Sequence, residues 1–177
     1  MLIRLLGDSA TAPTHLVPSQ HVSAFSEESP EPSEFVIRCP QTPSTYVRFC
    51  DWSRLDEYVV AFTVEGVAAG MRARLDSVRI SYWDGAGPLD AFLATLARDF
   101  RGWEGERTWV TNQLVVTATF RSGGHVRLCW TLRPDFSVDD SWECSVTTTV
   151  EAGEQLSWLA DEMQGFLQQG QAAPLGS

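Results

Sequence analysis

The chain has 177 residues, a net charge of −10 and a pI near 4.6, with 44% hydrophobic residues. That length predicts one domain with a substantial core. The acidic balance excludes a surface built for nucleic acid or anionic lipid, because those need clustered basic side chains. All 13 basic residues are Arg, so Schiff-base chemistry and a phosphate-binding P-loop, both of which use Lys, are excluded as well.

Residues 1–33 read as a poorly ordered segment. Ser26 to Glu34 (SEESPEPSE) is rich in Pro, Ser and Glu and lacks the apolar side chains a core needs. His15 and His21 lie in this segment without the helical spacing or acidic neighbours of a metal pair. The opening MLIRLLGDSA is too short for a signal-peptide core, and no later stretch can span a membrane, so a cytoplasmic location is expected.

The single domain is expected over residues 34–169. Phe35 to Cys39 and Thr45 to Cys50 read as strands, with Pro40 and Pro43 suiting the turn between them. Tyr58, Val60, Phe62 and Val64 alternate with Val59, Ala61, Thr63 and Glu65, which predicts a third strand. Beyond Gly66, Ala69, Met71, Ala73 and Leu75 alternate with Gly70, Arg72, Arg74 and Asp76. This fourth strand has one charged face, whose arginines are expected to pair across strands. Val78 to Trp83 extends the sheet.

A turn at Asp84-Gly85-Ala86-Gly87 leads to Pro88, suited to a first helical position. Leu89, Phe92, Leu93, Leu96, Ala97 and Phe100 keep helical spacing, and Gly102 closes that helix.

From Leu114 to Arg121 and from His125 to Arg133 the side chains alternate again. Parity selects a three-residue loop, Ser122 to Gly124. Only an odd loop pairs Phe120 with Val126, Ala118 with Leu128 and Val116 with Trp130, whereas a one-residue slip would turn every apolar side chain to solvent. An acidic connection, Pro134 to Asp140, leads to a further strand with Trp142, Cys144, Val146, Thr148 and Val150 on the inward face. A second helix begins near Ala152-Gly153, with Glu151 and Glu154 complementing its dipole. Leu156, Leu159, Ala160, Met163, Phe166 and Leu167 form its buried stripe. Residues 170–177 read as a frayed tail. The fold class is therefore α+β: an antiparallel sheet of about six to eight strands with two amphipathic helices packed on one face.

Chemistry-bearing motifs are sparse. Cys39, Cys50, Cys129 and Cys144 form no C-x-x-C pair and read as free thiols. No cofactor or metal motif is present, and no nucleophile sits in a catalytic motif. Trp130, Trp142 and Trp158 are expected in the core. Candidate interaction residues are Trp103, Glu104 and Trp109 around the helix-to-strand connection, His125 at the hairpin end, and the acidic pair Asp139 and Asp140; Trp103 and Trp109 read first as core anchors and otherwise as an exposed aromatic patch.

The segments DAFLATLARDFRGWEGERTW, FRSGGHVRLCWTLRP and WECSVTTTVEAGEQL resemble an actinobacterial family of small proteins, domain-of-unknown-function family 6228, over roughly residues 35–168. The resemblance implies a cytosolic domain of actinobacterial origin and carries over no functional residue.

Two functions are expected to compete. The first is a protein-binding module, in its concrete form an immunity or anti-toxin-like protein that neutralises a basic partner. The alternative is a small-molecule or carbohydrate binder, or an enzyme, with a pocket near Trp103, Trp109, Glu104 and His125. Exposed strand edges also permit a homo-oligomer.

Overall fold

The computed structural model describes residues 34–81, 87–134 and 141–169. The N-terminal segment, the tail, most of the turn before the first helix, and the acidic connection with Asp139 and Asp140 lie outside the described residues.

Two four-stranded antiparallel meanders form, rather than one sheet. The first holds β1 (Phe35–Cys39), β2 (Thr42–Arg54), β3 (Val59–Ala68) and β4 (Met71–Ser81). The second holds β5 (Glu106–Val110), β6 (Leu114–Arg121), β7 (His125–Leu132) and β8 (Cys144–Glu151). Helix α1 (Leu89–Arg98) lies between them in sequence and α2 (Glu154–Leu167) follows. Four strands and a helix thus occur twice. The helical crossover after β4 is where hydrogen bonding between consecutive strands stops, so pairing restarts at β5 as a new sheet.

Alternation sets the register of the second sheet. Phe120 pairs with Val126, Ala118 with Leu128 and Val116 with Trp130 across the loop Ser122 to Gly124. Gly123 and Gly124 take φ of 84° and 74° there, values that favour glycine. Strand β8 begins at Cys144, so Trp142 precedes it and is 44% exposed instead of joining the core. Inside the sheet, Thr148 is fully buried and accepts a hydrogen bond from Trp130 Nε1 at 2.9 Å.

The first sheet runs longer than alternation alone indicates. Strand β2 continues to Arg54 through a bulge at Asp51 (φ 54°), and the register against β3 shifts between Cys50 and Ser53. The charged strand and the Val78 run are one strand, β4, joined by a bulge at Ser77 (φ 57°). Each extra residue reverses the parity and interrupts the two-residue period. Gly66 does not end β3 but lies within it. A Cβ there would meet Val146 Cγ2 at 2.8 Å, so the glycine lets β8 approach β3.

The inner faces meet in one core. Phe49 packs on Phe62 (5.8 Å), Trp130 (5.7 Å) and Phe166 (6.2 Å), tying both sheets to α2. The predicted stripe of α2 is buried throughout. Trp158 falls off that stripe, two residues from Leu156 and Ala160, and is 55% exposed. Helix α1 buries Leu89, Leu93 and Leu96 and ends at Arg98. The Asp99 amide bonds back to Leu96 and the Gly102 amide to Asp99. Phe100 therefore leaves the helical stripe and is 52% exposed. The two helices pack against each other.

Candidate functional site

The candidate residues do not gather in one place. Trp109 is buried, and its Nε1 donates to the Gly87 carbonyl at 2.9 Å. It is a core anchor holding β5 to the segment before α1. Trp103 is half-buried at the end of the second sheet, 5.4 Å from the Phe120 ring and with the Arg107 guanidinium 4.6 Å above it. Its Nε1 is buried without a hydrogen-bond partner among the described residues. Glu104 is exposed in the turn that follows. His125 pairs with Arg121 and with Glu151. Alternation with the buried Val126 turns it to the outer face, away from the core side where the two tryptophans sit.

The outer face of the first sheet is an ionic network. Glu65 is the one buried charged residue among the described residues, 3% exposed. Arg48 meets its Oε2 through Nε and Nη2, each at 3.0 Å, and Arg72 Nε meets Oε1 at 2.9 Å. Arg48 also reaches Glu34 at 3.3 Å. Alongside, Arg74 bridges Asp51 (3.0 Å) and Asp76 (2.8 Å), and the Thr63 hydroxyl donates to Asp76 at 3.1 Å. The pairing expected for Arg72 and Arg74 is thus present. Burial raises the Asp51 carboxyl, but hydrogen bonding by Cys50, Thr63 and Arg74 outweighs it and holds the group below its usual range. Burial, helped by Asp51, pushes the Cys50 thiol up, which keeps it an unreactive thiol. These charges satisfy one another in place.

Other surface features are left among the described residues. A polar cleft of about 470 Å³ runs between Ser77, Arg79 and Ser81 of β4 and the turn Thr111 to Gln113. That turn is pinned: Gln113 Oε1 accepts from the Arg79 amide at 3.1 Å, and Thr111 Oγ1 accepts from Leu114 at 3.0 Å. A hollow of about 310 Å³ lies on the outer face of the second sheet, over Glu106, Thr117, Thr119, Arg121, Arg127 and Cys129. A groove of about 230 Å³ lies between the helices, floored by Ala94, Ala97, Ser157 and Ala160 and edged by Arg98 and Asp161.

Beside that groove α2 turns a distinct face outward. Glu154, Trp158, Asp161 and Glu162 are all exposed, and spacings of three and four residues make them neighbours on the helix surface. Among the described residues no group of three His, Cys, Asp or Glu converges to hold a metal, and no helix is long and apolar enough to cross a membrane.

The model of a family of unknown function, DUF6228, matches residues 38–170. The chain belongs to this family. No curated protein and no solved structure matches it. The DUF6228 match takes in β2 to β8 and both helices, so both outer sheet faces and the α2 face fall within the family region. The family's description assigns no activity and transfers no site residue. The α2 face is hard to read from the sequence because composition places an apolar Trp158 in the core; its offset from the Leu156–Met163 stripe is the available signal.

Proposed function

We propose that this DUF6228 protein is a cytoplasmic protein-binding module whose partner is basic, in the manner of an immunity or anti-toxin protein. The observation that carries the reading is Trp158, a tryptophan 55% exposed on α2, bordered by the carboxylates of Glu154, Asp161 and Glu162. A large exposed aromatic costs solubility when left bare and is a frequent anchor at protein interfaces. Carboxylates around it favour Lys or Arg, which can stack on the indole while pairing with the acids. Phe100, 52% exposed beyond α1, lies beside the start of α2, where a Cβ on Gly153 would be 4.0 Å from its own Cβ. It adds a second apolar element to this end of the molecule.

The net charge of −10 favours a basic partner over long range, and local carboxylate clusters such as that on the α2 face would set where it docks.

The test is affinity purification of the tagged full chain from its native lysate, beside Trp158→Ala and a Glu154→Gln/Asp161→Asn/Glu162→Gln variant. The expected result is a stoichiometric basic protein that is lost with Trp158→Ala and released at lower salt from the triple variant. A partner retained equally by all three proteins overturns the assignment of this face.

A further inference from the structure

We propose that the outer face of the second sheet holds a site for a small phosphate-bearing ligand, gripped by Arg121 and Arg127. The register brings the two guanidinium groups to one hollow. Arg127 lies directly across from Thr119, and Arg121 follows Thr119 by two residues on the same face of β6. The arginines are thus diagonal neighbours, within reach of a shared ligand. Both line the 310 Å³ hollow together with the hydroxyls of Thr117 and Thr119.

Among the described residues neither arginine has an ion pair, as is also true of Arg79 and Arg98, but these two share one hollow. Arg48, Arg72, Arg74 and Arg107 each meet a carboxylate within 4.0 Å. No described carboxylate comes that near Arg121 or Arg127, although Glu106 lines the same hollow. A tetrahedral oxyanion seated in the hollow can accept from both guanidinium forks. The threonine hydroxyls can donate to the remaining oxygens. Glu106 can accept from a hydroxyl group carried by the same ligand. The chemistry therefore fits a hydroxylated phosphate monoester. A hollow of this volume matches a compact small molecule.

The probe is glycerol 3-phosphate, titrated into the full chain and followed by backbone amide and arginine Nε–H resonances. The expected result is saturable shifts confined to Thr117, Thr119, Arg121, Arg127 and their cross-strand neighbours. Arg121→Gln and Arg127→Gln should each weaken binding by about tenfold. Arg38→Gln, on the first sheet, should leave it unchanged. Amide dispersion in each variant checks that the fold is intact. Shifts scattered over the surface, or equal affinity in Arg121→Gln, Arg127→Gln and the unaltered protein, would overturn the proposal.

Discussion

The two sheets carry the same alternating pattern but use their outer faces differently. On the first sheet, Ala61, Thr63 and Glu65 of the central strand β3 are buried on the outer side too, beneath arginines that neutralise the carboxylates in place. On the second, Thr and Ser are the commonest outer residues, half-buried or exposed, and Arg121 and Arg127 stand without ion pairs among the described residues. A closed network contributes to stability and leaves little for a ligand. An open polar face contributes little to stability and is accessible. The difference lies in cross-strand register, which sets Arg48 and Arg74 directly opposite Glu65 in one sheet and Arg127 opposite Thr119 and Thr149 in the other.

The sharpest way to break the comparison is to remove one charge from each face. Glu65→Ala leaves Arg48 and Arg72 without their shared acceptor. It should cost about 2 kcal/mol in urea unfolding, below the usual loss for a severed buried pair because Arg72 can retreat to water. Arg121→Ala on the other face should change stability by less than about 0.5 kcal/mol. Equal costs would contradict the contrast.

A second test probes the close approach of the sheets. Gly66→Ala forces a Cβ against Val146 and should destabilise by about 2 kcal/mol. The double variant Gly66→Ala/Val146→Ala should lose less than the sum of the single losses in a double-mutant cycle. A smaller effect is expected at Thr148→Val. It strips the acceptor from the buried Trp130 indole and should cost about 1 to 2 kcal/mol.

The smallest effect is pH-linked. The Asp51 carboxyl titrates below its usual range when folded, so its contribution is present above the unfolded value and is lost as pH falls through the folded one. The stability difference between the unaltered protein and Asp51→Asn should therefore be constant near neutrality and shrink below about pH 4. A difference that stays flat down to pH 3 would detach Asp51 from the network.

Much of the fold was legible because burial follows periodicity. The hairpin at Ser122 to Gly124 followed from parity alone, and the α2 stripe from Leu156 to Leu167 followed from helical spacing. The bulges at Asp51 and Ser77 were not legible. Each is a single extra residue in left-handed backbone at a non-glycine position, and each looks like the end of a strand. The split into two sheets was hidden because alternation reports which face is buried, not which strands pair. Trp109 is the core anchor that its place at the helix-to-strand connection predicts, whereas Trp158, expected in the core, is exposed. Composition favours burying tryptophan, and only its offset from the helical stripe argued otherwise.

The most direct measurement is site-specific photo-crosslinking, with a benzophenone amino acid at position 165 of the full chain in native lysate, where Gly165 is exposed beside Asp161 and Glu162 and Trp158 is kept. The account predicts one dominant adduct with a basic protein, absent when Glu154, Asp161 and Glu162 are neutralised and absent when the probe is moved to the outer face of the second sheet at Thr147. An adduct pattern at position 165 no different from that at Thr147 would contradict the assignment of the α2 face as the docking surface.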